Sequence, residues 1–142
     1  MADNLFQIAN LVALAGWAAL LASPWIGRWA DRIAGAALPM LLSIAYAGLV
    51  LAFWSGANGG FGSLADVMAL FTQPEIALAG WIHYLAFDLF VGAWETRTAR
   101  DEAIPFLLVV PCLALTFLFG PAGYLAFVAL RFARAALRPQ TA

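Results

Sequence analysis

The sequence predicts an all-α fold: an integral membrane four-helix bundle with a short interfacial helix between the second and third helices. Hydrophobic residues make up 65% of the 142 residues and charged residues only 11%, whereas soluble domains hold about 45–50% and about 25%. The mean hydropathy is +0.90, and the apolar residues fall into runs of membrane-spanning length. A chain this short has too little interior to bury so many apolar residues in water. We therefore expect a single transmembrane domain over residues 1–142.

The first two apolar runs predict two membrane helices. The first lies at about 5–21; its start, MADN, carries an acid and no basic residue, so we expect a retained helix rather than a signal peptide. The connection SPWIGRWADR places Trp25 and Trp29 where an aromatic belt would lie. The second helix, at about 33–54, contains Pro39, which membrane helices tolerate when neighbours satisfy the freed backbone groups.

A glycine-rich stretch, SGANGGFGS, ends the second helix and predicts a loop. The run SLADVMALF then predicts a short helix at 63–71, because Ser63 is a good N-cap and Asp66 lies in the first turn, where the helix dipole favours an acid. This helix is too short to cross a bilayer, so we expect it at the interface. Pro74 opens a third helix at about 74–95, since proline is common at the first helical position.

The fourth apolar run, at about 103–130, holds several prolines and allows two interpretations. It is one long kinked helix, or it is a span followed by an interfacial helix. We favour the single kinked helix with a basic tail that reaches back to the interface. The tail holds Arg131, Arg134 and Arg138. The connections then place four arginines on one side of the membrane, and the tail places three on the other. The positive-inside rule decides little between four and three, and we expect both termini outside.

Composition excludes several classes of function. The net charge of −1 gives no electrostatic reason to expect nucleic acid binding. The single cysteine, Cys112, rules out an intrachain disulfide, and a single histidine argues against a membrane di-iron oxygenase. We expect the protein to bind neither a metal nor nucleic acid. The expected partners are membrane lipids and an apolar lipid ligand. There is no long Arg/Ser-rich transit segment, so we expect either a bacterial protein of the inner membrane or a chain whose leader has been removed. A homo-oligomer is compatible with either.

The stretch WIHYLAFDLFVGAWE, residues 81–95, places ionisable groups in the most apolar half of the chain. At 100° per residue, one face of the third helix holds Trp81, Tyr84, Asp88 and Glu95. A carboxyl at this depth costs on the order of several kcal/mol unless it is protonated, paired or beside a wet cavity. Asp88 is therefore a functional candidate, able to donate a proton when protonated. The alternative is a structural hydrogen bond to another helix, with candidate partners Asn10, Ser43, Tyr46 and Thr116.

His83 is the only histidine, and its role is open between a catalytic group and a satisfied interior histidine. On an ideal helix it points about 140° away from Asp88, beside Phe87. The two ionisable groups can therefore meet only around a cavity, through water, or if the helix is irregular.

The other polar residues near this stripe have simpler explanations. Glu95 lies near the predicted interface beside Arg97 and Arg100, which favours a surface ion pair. Asn10 lies on the first helix, where hydrogen bonding between helices is the usual role of an amide. Trp81 and Tyr84 are more often packing residues, although their polar tips would suit the polar end of a ligand.

Four segments of the chain resemble the abscisic-acid-deficient-4-like family, and the missing transit segment leads us to expect a bacterial member. The segments are ANLVALAGW (9–17), GFGSLADVMALF (60–71), LAGWIHYLAFDLFVGAWETR (78–97) and LTFLFGPAG (115–123). The core HYLAFDLFVG is the specific part, and the likeness extends from about Phe6 to Leu130. An acidic residue commonly follows the arginine that corresponds to Arg97, whereas Thr98 stands there in this chain.

The plant member of that family is associated with neoxanthin synthesis from violaxanthin, so the resemblance implies a membrane enzyme acting on carotenoids. Converting a 5,6-epoxide to an allene is a net isomerisation that needs an acid and a base but no redox cofactor. We assign Asp88 as the acid, His83 as the base and Glu95 as a polar anchor or alternate base. Substrate-binding residues are expected along the same helix and on the first helix: Trp81, Tyr84, Phe87 and Asn10.

Two other classes of function stay open at the level of the sequence. One is a non-catalytic carotenoid- or lipid-binding protein, or a small assembly subunit. The other is a proton-coupled carrier with Asp88 in the proton path, although four spans are few for a carrier. Turnover of an epoxy-carotenoid without added cofactor separates the enzyme from both.

Overall fold

The chain is helical almost throughout. A computed structural model describes residues 1–137 and has no strand among them, so the all-α prediction is confirmed. Arg138, the last arginine of the expected basic tail, lies outside the described residues. In chain order the elements are α1 (Ala2–Leu21), α2 (Ser23–Ile26), α3 (Arg28–Arg32), a π-helical segment (Ile33–Ala37), α4 (Leu38–Phe53), a 3-10 turn (Trp54–Gly56), α5 (Leu64–Phe71), α6 (Pro74–Asp101), α7 (Phe106–Phe119) and α8 (Pro121–Leu137).

The second membrane helix is longer than predicted and contains a π-helical segment. It runs without a break over Arg28–Gly56, 29 residues, rather than 33–54. The π-helical segment, Ile33–Ala37, lies directly before Pro39. Proline has no N–H, and its ring crowds the carbonyl of the preceding turn. A wider π turn at this point leaves room for the ring, so the helix continues through the proline.

The short helix between the second and third long helices is confirmed as α5, Leu64–Phe71. Ser63 caps it, since its Oγ accepts a hydrogen bond of 3.1 Å from the backbone N–H of Asp66. Eight residues are about 12 Å of helix. This helix therefore cannot cross a bilayer.

α6 is the central helix, in contact with α1, α4, α5, α7 and α8. It begins at Pro74, as predicted, but continues to Asp101 and so spans 28 residues. α1 approaches it closely at two glycines: a Cβ added to Gly92 would lie 2.8 Å from the Trp17 ring, and one added to Gly16 would lie 2.5 Å from Leu89. Close approach through small residues is typical of helix packing in membranes.

The fourth apolar run is not the single kinked helix that we expected. It divides at Gly120, which adopts φ 43° and ψ −93°, outside the helical region. α8 then turns back along α7 and α6, because its Phe127 ring packs against Trp94 and its Arg131 pairs with Glu102, just beyond the end of α6. α7 and α8 therefore form a helical hairpin, whose tip, residues 117–120, lies beside Asp88 near the middle of α6.

The hairpin changes the predicted membrane topology. Within residues 1–137, three helices are long and apolar enough to cross a membrane: Ala2–Leu21, Arg28–Gly56 and Pro74–Asp101. α7 has 14 residues, fewer than the roughly 17–25 that a span needs. The prediction of an all-helical fold of membrane type is therefore confirmed. Among residues 1–137, however, three helices rather than four are suited to crossing a membrane.

The topology also changes the orientation argument, because α8 returns to the end of the molecule where α6 ends. All six arginines of the described chain then lie near one end: Arg28, Arg32, Arg97, Arg100, Arg131 and Arg134. The expected count of four against three, with both termini outside, placed the tail at the opposite end, and this is wrong for Arg131 and Arg134. By the positive-inside rule, six arginines at one end predict that this end faces the cytoplasm.

The tight packing inside the hairpin gives a first prediction. A Cβ at Gly123 would lie 2.5 Å from the Cα of Thr116, a backbone atom that cannot move without moving α7. We expect Gly123→Ala to destabilise the protein by about 1–3 kcal/mol, the usual effect of overpacking. Gly48→Ala is the matched control, because nothing lies within 4 Å of the added methyl. Thermal unfolding in detergent measures both, and equal stability of the two variants would contradict the hairpin packing.

Candidate functional site

The predicted stripe on α6 is only partly interior. Asp88 is 9% exposed and Glu95 is 0% exposed, so both carboxyls face the inside of the bundle. Tyr84 is half-buried, and Trp81, one turn nearer the helix start, is 40% exposed. The two carboxyls are seven residues apart on α6 and therefore lie on one face, about 10 Å apart along the axis.

Asp88 lies against the tip of the hairpin. A Cβ added to Gly120 would be 2.6 Å from Asp88 Oδ1, so only glycine leaves room for the carboxyl there. The Tyr84 hydroxyl lies beside Asp88 and donates a hydrogen bond of 3.2 Å to the backbone carbonyl of Phe117 at the end of α7. Asp88 Oδ2 is buried and has no hydrogen-bond partner among residues 1–137. We call Tyr84, Asp88, Phe117 and Gly120 the junction.

Glu95 lies behind the junction, and its expected surface ion pair is wrong. The Thr116 hydroxyl donates a hydrogen bond of 2.8 Å to Glu95 Oε1, while Glu95 Oε2 is buried without a partner in the described chain. Arg100 instead pairs with Asp31 at 2.5 Å. The prediction failed because α6 extends beyond residue 95, so that Glu95 lies inside the bundle and α7 covers it.

Two of the four candidate partners of Asp88 form hydrogen bonds elsewhere, while Tyr46 and Ser43 line pockets with His83 and Phe87. Thr116 bonds Glu95. The Asn10 amide donates to the Phe6 carbonyl at 2.8 Å, and its Oδ1 accepts a bond of 3.2 Å from the indole N–H of Trp81. Asn10 thus joins α1 to α6, the structural role that its position favoured.

His83 lies on the opposite face of α6 from Asp88, and no hydrogen bond or ring contact joins the two. Its ring stacks on Phe87, with 4.6 Å between centroids, and lies 5.5 Å from the Tyr46 ring. It lines a cavity of about 280 Å³ between α4, α5 and α6, whose other walls include Trp54 and Phe61. The expected acid and base are therefore in separate places, and we call this second place the aromatic pocket.

The polar side chains at and directly behind the junction are carboxyls and hydroxyls. Among residues 1–137, no three His, Cys, Asp or Glu side chains come close enough to hold a metal ion. The junction holds the Asp88 carboxyl and the Tyr84 phenol, and behind it lie the Glu95 carboxyl and the Thr116 hydroxyl. Within residues 1–137, no arginine pairs with either carboxyl. Carboxyl groups in an apolar setting, without a cationic partner, are suited to accepting and donating protons.

Sequence reasoning missed the role of the hairpin tip. Gly120 and Phe117 were quoted only within the apolar run and the segment LTFLFGPAG, and Thr116 was a candidate partner for Asp88 rather than Glu95. The signal was the dipeptide Gly120–Pro121: glycine allows a non-helical turn, and proline is favoured at the first position of the next helix.

The comparisons with known proteins place this junction in a family. The sequence model of the family described as ABA DEFICIENT 4-like matches residues 4–127, which is most of the chain. No curated protein and no solved structure gives a significant match. The matched range runs from α1 into α8 and includes every residue of the junction and of the aromatic pocket.

Proposed function

The chain belongs to the ABA DEFICIENT 4-like family, and from this membership and the junction we propose that it is a membrane enzyme that isomerises the epoxide end group of a carotenoid without a cofactor. The family suggests a role in carotenoid- or neoxanthin-related processes. Three helices suited to crossing a membrane agree with a lipid-soluble substrate. The observation that carries the proposal is Asp88, a buried carboxyl halfway along the central helix that no cationic side chain of residues 1–137 pairs with.

We infer that an apolar substrate approaches Asp88 from the lipid beside the tip of the hairpin. Trp81, on α6 before Asp88, and Phe117, at the tip, are 40% and 39% exposed, which leaves aromatic surface for such a substrate. A rigid polyene lying along these aromatic rings would bring its end group to the hairpin tip.

The chemistry needs one proton delivered and one removed. In the proposed step, protonated Asp88 gives its proton to the epoxide oxygen as the ring C–O bond breaks. The resulting carboxylate takes the vinylic hydrogen through its other oxygen, and the C–H electron pair forms the allene. Atoms and charge balance, and Asp88 returns to its protonated form. Tyr84 holds the end group beside Asp88, and Glu95 with Thr116 positions α7 behind it.

His83 takes no part in this step, because it lies on the other face of α6. The aromatic pocket around it favours a second candidate function, non-catalytic binding of a carotenoid or another apolar lipid. Its volume of about 280 Å³ and its lining of aromatic and aliphatic side chains suit one ring of such a ligand. A binder would need this pocket but not the carboxyl at the junction.

Expression in a strain that makes a defined epoxy-carotenoid, followed by pigment chromatography and mass spectrometry, distinguishes the two functions. We expect an allenic product with the same mass as the substrate, formed also by washed membranes without added cofactor. Unchanged pigment that co-purifies with the protein would favour the binder. Neither conversion nor bound pigment, with correctly folded protein, would overturn both.

A further inference from the structure

The arginine end of the molecule contains a cavity that the proposed function does not use. It has a volume of about 520 Å³ and is lined by Arg28, Asp31 and Arg32 of α3 and by Arg97, Arg100 and Asp101 of α6. We call it the arginine cup. Its four arginines against two aspartates leave a net charge of +2. Arg97 is nine residues along α6 from Asp88, about 14 Å, so the cup is separate from the junction.

Two arginines of the cup have no partner in the part of the chain that the structure describes. Asp31 is occupied by Arg100, with 2.5 Å between the charged atoms, and this pair fixes α3 against α6. The Arg32 guanidinium lies over the Trp29 ring at 5.1 Å. Arg28 and Arg97 form no hydrogen bond or ion pair with any residue in the range 1–137. Two planar cationic groups on opposite walls are therefore available to a ligand.

The arginine side chains that line the cup favour a phosphate group as the ligand. A guanidinium binds phosphate oxygens through paired hydrogen bonds, and several arginines around one cavity are typical of phosphate recognition. The cavity is larger than one phosphate, which leaves room for the ester group that carries it.

The position of the cup indicates a lipid as the source of this phosphate. Trp25 and Trp29 lie beside it and are 82% and 62% exposed, as expected of tryptophans in a membrane interface. The arginine end faces the cytoplasm by the positive-inside rule, and the cytoplasmic leaflet carries anionic phospholipids. We propose that the arginine cup binds the phosphate headgroup of an anionic phospholipid, held between Arg28 and Arg97.

Native mass spectrometry of the full chain in detergent, with equal amounts of dimyristoylphosphatidylglycerol and dimyristoylphosphatidylcholine, tests this. We expect the anionic lipid to be bound about 10-fold more than the zwitterionic lipid. Arg28→Gln and Arg97→Gln should each reduce its occupancy about 10-fold, the usual effect of losing a charge-assisted hydrogen bond. Arg134→Gln is the matched control, since it removes the same charge near the same end from a half-buried arginine outside the cup. It should change occupancy less than about 2-fold, because salt screens a charge that does not touch the ligand.

Other outcomes overturn the proposal. Equal binding of the two lipids, or an equal loss in Arg97→Gln and Arg134→Gln, would mean general surface attraction. Inorganic phosphate at millimolar concentration serves as a second arm: Arg97-dependent binding of phosphate without binding of phosphatidylglycerol would assign the cup to a free phosphate and reject the lipid. Circular dichroism checks that each variant folds, which we expect because Arg28 and Arg97 have no partners to lose. Pigment conversion is measured on the same samples. A loss of lipid binding at the arginine cup can therefore be distinguished from an absence of the proposed enzyme activity.

Discussion

Asp88→Asn is expected to lose about 10²–10⁴-fold in the rate of pigment conversion while the protein still folds and still binds pigment. The amide has nearly the shape of the carboxyl and can donate and accept hydrogen bonds, but it cannot deliver a proton. Because Asp88 Oδ2 has no partner within residues 1–137, the change removes no hydrogen bond from that atom. The measurement is conversion per amount of folded protein, with unfolding temperature and bound pigment recorded for the same sample.

His83→Gln is the comparison for this prediction, because it changes a polar group on the same helix without touching the junction. We expect its rate of conversion to stay close to that of the original protein, since His83 faces the aromatic pocket. Loss of conversion in His83→Gln but not in Asp88→Asn would reverse the proposed roles. Near-normal conversion by both variants would remove both residues from the mechanism and leave the binding function ahead.

The sequence carried most of the information about the helices. Apolar run length and turn residues predicted α1, α5 and the start of α6, because each of these boundaries depends on local chemistry such as the Ser63 cap or the proline at position 74. The interior position of Asp88 also followed from the sequence alone, since an acid this deep cannot face hydrocarbon without a large cost.

What the sequence could not predict depends on contacts between distant segments. One long kinked helix and a hairpin have the same apolar composition, and only the packing of α8 on Trp94 and Glu102 decides between them. The topology of α8 then determined which end holds the arginines. The predicted surface position of Glu95 was wrong for a related reason. Arg97 and Arg100 look like the end of a membrane span, so the end of α6 was predicted six residues early. In the structure α6 continues, and Arg100 pairs with Asp31 of α3.

Glu95 gives the second large effect, this time on stability. Glu95→Ala should lower the free energy of unfolding by about 2–5 kcal/mol, because it opens a cavity in a fully buried site and leaves the Thr116 hydroxyl without its acceptor. Glu95→Gln keeps both the volume and an oxygen that accepts from Thr116, so its stability should remain within about 1 kcal/mol of the original.

The Gln variant also decides whether Glu95 exchanges protons, because it separates shape from acidity. Thermal unfolding in detergent and pigment conversion are measured on the same preparations of both variants. Normal conversion by Glu95→Gln, with unstable Glu95→Ala, is the result expected of a group that positions α7 against α6. A stable Glu95→Gln that has lost conversion as fully as Asp88→Asn would instead make Glu95 the proton acceptor, and the single-carboxyl step would have to be replaced by one that uses both.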